Sequence, residues 1–118
     1  MMKSEELKTC AQNLAQDGKK VCVFAKSCIY TENYGCSAHF TFFDYGTPIF
    51  DVYVWSNNES EYVHPYKLQG WRYSVTTTRH TKTAIDIIAL AIYVRYGIDV
   101  DSDTMFANID NDTDKTYV

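Results

Sequence analysis

Two prolines, Pro48 and Pro65, and five glycines are all the chain contains of the two main backbone breakers. With so few, there is no Pro- or Gly-rich linker to divide it and no low-complexity tract. Long hydrophobic runs are missing as well. The longest apolar block, Ala84 to Val94, is interrupted by Asp86 and is far shorter than the roughly 20 residues that cross a bilayer. The opening M-M-K-S-E-E-L-K has no apolar h-region, so the expectation is a cytoplasmic protein without a secretory signal and without membrane contact. Positive charge is also scarce: 11 Lys and Arg stand against 15 Asp and Glu, for a net charge of −4. A chain built to neutralise nucleic-acid phosphates is usually basic, so nucleic acid is disfavoured as the main ligand.

The sequence templates of common enzymes are absent too. There is no phosphate-binding Gly loop, no G-x-S-x-G and no H-E-x-x-H, so the chain reads as a non-enzyme without a cofactor. Four cysteines (Cys10, Cys22, Cys28, Cys36) in a cytoplasmic setting read as reduced thiols. Cys36 and His39 form one C-x2-H pair, but structural zinc normally draws on two tight pairs, and the second is missing. Asp99, Asp101 and Asp103 have the spacing of the first acids of a calcium loop, and Asp110, Asp112 and Asp114 repeat it. Neither run has the Gly at position six or the Glu at position twelve that such a loop needs. No metal site is therefore expected.

What is present is a chain of 118 residues, 46% hydrophobic and 15% aromatic, with ten tyrosines. That is enough for one domain with one core, and the rings favour β structure. Ser4 is placed to cap a first helix over residues 4–16, with Leu7, Cys10, Ala11, Leu14 and Ala15 at helical spacing. Alternation from Lys20 to Thr31 reads as one strand, and Glu32 to Gly35 as a turn. Residues 38–45 and 49–56 read as two more strands, with Gly46-Thr47-Pro48 turning between them. Asn57 to Glu61 reads as a polar break, and His64-Pro65 as irregular chain. Trp71 to Thr77, β-branched after Gly70, reads as a fourth strand. Thr77 or Thr78 then caps a helix that runs to Tyr96 and stops at Gly97.

The predicted fold is α+β: a four-stranded antiparallel sheet with N- and C-terminal helices packed on one face, in the order α-β-β-β-β-α. Residues 1–97 form the domain. Residues 98–118 form an acidic tail, tacked down in part by Met105, Phe106 and Ile109. The helix over 79–96 is apolar on a broad stripe, which calls for burial against the sheet and against either the first helix or a second copy of the chain.

Parity along I-F-D-V-Y-V-W sends Phe50, Val52 and Val54 to the core and Ile49, Asp51, Tyr53 and Trp55 to the other face. In W-R-Y-S-V, Trp71, Tyr73 and Val75 share a face and join the core set. Either the tail or the loop over 57–70 covers the aromatic face, or it is a partner surface, for which Tyr and Trp are well suited. Asp99, Asp101 and Asp103 add an acidic patch for a basic partner. Thr78, Arg79, His80 and Lys82 gather hydroxyls and cations at a helix start, where a phosphate or carboxylate would be held. His80 as a catalytic base would require a nucleophile or an orienting carboxylate placed by the fold, and the sequence shows no such partner.

Tyr45-Gly46-Thr47-Pro48-Ile49 and Tyr73-Ser74-Val75-Thr76-Thr77-Thr78-Arg79-His80 resemble the pattern Y-x-T-x-V … Y-S-x-T-T-x-R-H. That pattern marks a domain of unknown function in small phage and bacterial proteins. The match runs from Tyr45 to about Ile88, with Ile49 where Val is usual. The resemblance implies a phage origin and a strand-into-helix role for the second motif, and it brings no functional residues. The resulting expectation is a small protein that engages a host protein, as an inhibitor of defence or nucleic-acid-processing machinery. Partner contacts would be Tyr53, Trp55, Asp99, Asp101 and Asp103. The alternative is a single-stranded nucleic-acid-binding module that stacks bases on the aromatic face. Homodimerisation through helix 79–96 is compatible with both.

Overall fold

A computed structural model describes residues 2–72 and 74–112. The order of elements is α1 (Ser4–Leu14), β1 (Gly18–Phe24), β2 (Ser27–Tyr34), β3 (Ser37–Asp44), β4 (Thr47–Ser56), β5 (Glu61–Lys67), α2 (Val75–Tyr96) and α3 (Ser102–Asp110). The fold is α+β with an antiparallel sheet and helices at both ends. The sheet, however, has five strands in the order β1-β2-β3-β4-β5 rather than four, and a third helix follows.

Three local effects account for the differences. The run from Lys20 to Thr31 is two strands, because Ala25 turns the chain with φ 50°. Alanine rarely takes that conformation, so no Gly, Asn or Asp marks the turn. β5 forms through His64-Pro65, with Pro65 opposite Val52. A proline is tolerated there because β5 is an edge strand, where a missing N–H breaks no ladder. The predicted strand over 71–77 is instead a turn at Trp71 and Arg72 followed by the start of α2. Ser74, not Thr77 or Thr78, is the cap, and its Oγ accepts from the Thr77 amide at 3.1 Å. That bond satisfies one orphan amide and recruits the β-branched Val75-Thr76-Thr77 into helix. Tyr73 lies outside the described residues, Trp71 is half-buried, and Val75 is exposed rather than part of the core. At the other helix, Lys3 rather than Ser4 holds the cap position, and Glu6 accepts its amide at 3.0 Å.

All three helices pack on one face of the sheet, and the core lies between. Phe40, Phe42, Phe50, Val52 and Val54 from the strands meet Ile85, Ile88 and Ile92 of α2, with Leu14 of α1 and Met105 and Ile109 of α3. The breadth of the α2 stripe is thus taken up within the chain by sheet, α1 and α3; only Tyr93 and Val94 leave large exposed apolar surface towards its C-terminal end. One extra residue in β4 breaks strict alternation. Phe42 pairs with Phe50 and Phe43 with Pro48, so Ile49 bulges and is buried together with Phe50, against the parity reading. Gly70 closes this corner: a Cβ there would lie 2.7 Å from the Pro48 carbonyl oxygen.

Cys10 and Cys22 form a disulfide that ties α1 to β1, where reduced thiols were expected; Cys28 and Cys36 are free. The buried Asn33 side chain donates to the carbonyls of Leu14 and Gln16, both at 2.6 Å, and so receives the open end of α1. Both outer edges of the sheet carry guards. Asn13 Nδ2 donates to the Val21 carbonyl on β1 at 2.9 Å. On β5 the Lys67 amide meets Asp112 at 3.3 Å, and Pro65 has no amide hydrogen.

Candidate functional site

With every described helix on one side, no described helix or strand layer lies on the opposite face of the sheet. The strand registers place Lys19, Glu32, His39, Tyr53 and His64 in one row across it, and Val21, Tyr30, Thr41, Asp51 and Tyr66 in the next. Tyr34, Ser37, Trp55 and Tyr62 form a third row. The expectation that the 57–70 loop covers this face does not hold, because residues 61–67 form β5 and widen the face instead. The last residues, 113–118, lie outside the described residues, and Asp114 of the second acidic triplet is among them.

The centre of the face is ordered by ring stacking. His39 lies on Tyr53 with centroids 4.1 Å apart and planes 6° from parallel, and Tyr53 lies on Tyr66 at 5.6 Å. Asp51 anchors this stack. Its Oδ1 accepts from Thr41 Oγ1 at 2.6 Å and sits 3.2 Å from His39 Nε2. Burial, first, and then the hydrogen bond with Tyr53 and the negative charges of Asp51 and Asp112 push the Tyr66 hydroxyl well above the ordinary range. Tyr66 therefore stays a neutral phenol through the physiological range. Around this fixed centre, Tyr30, Tyr34 and Tyr62 are exposed, and Trp55 is half-buried.

Among the described strand residues, Lys19 is the one Lys or Arg whose position in the ladders falls on this face, with Lys26 in the β1–β2 turn at its margin, against the carboxylates Glu32 and Asp51 and, beside Tyr66, Asp112. A surface that tracks a phosphate backbone needs several cations, so the face is poorly suited to nucleic acid.

The other predicted residues lie elsewhere. Asp99, Asp101 and Asp103 share a shallow cleft of about 530 Å³ with Asp86 on the helix side of the molecule, away from Tyr53 and Trp55. Asp101 caps α3: its Oδ2 accepts from the Thr104 amide at 2.9 Å and hydroxyl at 2.8 Å, and these bonds hold its carboxyl below the ordinary range. Among the described residues, no group of three or more His, Cys, Asp and Glu side chains is placed to hold a metal ion.

Thr78, Arg79, His80 and Lys82 do not converge. The Thr78 hydroxyl donates to the Ser74 carbonyl at 3.0 Å, and Lys82 sits over the Phe106 ring at 5.3 Å. Arg79 and His80 line a groove of about 490 Å³ with Met2, Glu6 and Thr83. His80 Nδ1 lies 2.9 Å from Asp44 Oδ1, a carboxylate with a fully buried side chain. Burial pushes the Asp44 carboxyl up, but the Ser27, Thr77 and His80 side chains together pull it below the ordinary range. An anion thus already sits beside the first turns of α2, and it belongs to the chain itself. Asp44 is the residue that sequence reasoning missed: it stands 36 positions from His80, and only the packing of α2 on β3 joins them. Ser27 Oγ donates to Asp44 at 2.6 Å rather than to His80, so Ser27 is not arranged as a nucleophile activated by that imidazole.

Among the described residues, no helix is long and apolar enough to cross a membrane. No known protein family, curated protein or solved structure matches the chain.

Proposed function

We propose that the protein is a small, non-enzymatic binding module whose partner is another protein and whose contact surface is the open sheet face. The observation that carries this reading is the grid of Tyr30, Tyr34, Tyr53, Trp55 and Tyr62 around the Asp51–His39–Thr41 centre, on the face that no described helix covers. Tyrosine and tryptophan dominate binding energy at protein interfaces, since they bury large area while losing little rotamer freedom. Stacking between His39 and Tyr66 holds Tyr53 in place, and an edge contact with His64 restrains Tyr62, which lowers the ordering cost of association. Guards at both sheet edges favour docking on the face over strand addition. The resemblance to a phage domain makes a host-cell protein the natural partner, and occupation of that protein's working surface would inhibit it. The acidic cleft of Asp99, Asp101 and Asp103 belongs to a different side and would serve a second contact.

The test is capture from nuclease-treated host lysate with the wild-type protein beside Tyr53→Ala and Trp55→Ala variants, followed by mass spectrometry. A stoichiometric protein retained by the wild type and lost from both variants is the expected result. Recovery of material that disappears with nuclease would transfer the face to single-stranded nucleic acid. A protein captured equally by all three forms would remove the face from the interaction.

A further inference from the structure

Glu32 lies at the middle of β2 on the open face, between Tyr30 and Tyr34 on the same strand and opposite His39 on β3. It is half-buried, yet it makes no hydrogen bond or ion pair with any described residue. Lys19 is in register with it on β1 but forms no ion pair. The neighbouring carboxylate, Asp51, has both Thr41 and His39. Glu32 is therefore a half-buried carboxylate with no favourable partner among the described residues, flanked on both sides by exposed tyrosine rings.

Resting on the proposed protein-binding role of this face, we infer that its partner presents an arginine side chain, which Glu32 anchors. Arginine fits the three features together. Its planar guanidinium forks onto a carboxylate through two N–H donors, and the same plane lies against the faces of Tyr30 and Tyr34. A lysine ammonium matches the charge but not the fork, and a neutral side chain matches neither. The net charge of −4 draws a basic partner in at long range. A phosphate backbone would instead be repelled by Glu32 and Asp51.

The experiment titrates the full chain with a short Gly-Arg repeat peptide, followed by tryptophan fluorescence and by backbone NMR. Gly-Lys and Gly-Gln peptides and an oligothymidylate run alongside. Binding of the Arg peptide is expected with shifts centred on 30–34 and 39, weaker binding of the Lys peptide, and none of the Gln peptide. Glu32→Gln should weaken the Arg peptide about tenfold, since one charge-assisted hydrogen-bonded pair is lost, and Lys19→Ala should tighten it by removing a competing cation. Equal affinity of wild type and Glu32→Gln would overturn the inference, as would oligothymidylate binding on this face without peptide binding. The two readings separate in the capture experiment. A partner lost from Trp55→Ala but retained by Glu32→Gln leaves the face as an interface and removes the arginine anchor; a partner indifferent to both removes the face itself.

Discussion

The two faces of the sheet use their aromatic rings in opposite ways. On the helix side, Phe24, Phe42 and Phe50 stack among themselves and have no polar atom to satisfy. On the open side the rings, Phe43 apart, are tyrosine, tryptophan and histidine, each with a polar tip, and His39, Tyr53 and Tyr66 at its centre are ordered by hydrogen bonds and stacking. The contrast separates two purposes for aromatic surface. Phenylalanine is spent on stability, whereas tyrosine and tryptophan can stay in water until a partner arrives.

Breaking the comparison is most effective from the covered side. Phe42→Ala removes a fully buried ring and should cost about 3–5 kcal/mol in a urea unfolding series. Asp44→Ala comes next, at about 3 kcal/mol, because it deletes the acceptor of Ser27 and the partner of His80 inside the core. The pH dependence has a definite sign. The folded-state pKa of Asp44 lies below its ordinary value, so its contribution is present above the ordinary carboxylate range and lost as pH falls through the folded value. An Asp44→Asn variant should accordingly lose less stability on acidification than the wild type. On the open side, Trp55→Ala should change stability by about 1 kcal/mol or less while abolishing capture of the partner; a loss comparable to Phe42→Ala would mean that this face is core. Smallest, and indifferent to face, is Ala25→Gly. It relieves a φ of 50° in the β1–β2 turn and should raise stability by about 0.4–1 kcal/mol in the same urea series.

Much of this was legible from residue order. The alternation of Phe50, Val52 and Val54 against Asp51, Tyr53 and Trp55 separated the faces, and the end of α2 at Gly97 followed from one glycine with φ 70°. The strand count was not legible, because its two deciding signals run against propensity. Ala25 takes a turn conformation that favours glycine, and Pro65 sits within a strand because that strand is at the edge. Propensity also misled at Val75-Thr76-Thr77, where one hydrogen bond from the Thr77 amide to Ser74 Oγ outweighs three β-branched residues. The Asp44–His80 pair and the lack of a partner for Glu32 among the described residues are long-range outcomes of register and packing. No local pattern encodes them.

The sheet order repeats the chain order, strand by strand, and this has a consequence for how the molecule comes together. Each ladder can close across a short turn, at a small entropic cost and on the microsecond scale of isolated hairpins. The helical layer is different: α1 and α2 come from opposite ends of the sheet sequence, so their contact closes a loop that contains every strand. The expected order is a zippered meander first, with exposed phenylalanines, and helix docking as the step that commits the chain. Substitutions at the α1–α2 contact should then mainly speed unfolding, and those in the β2–β4 ladders should mainly slow folding. A chevron series on Leu14→Ala and Phe40→Ala, the one from α1 and the other from β3, would show which half sets the rate.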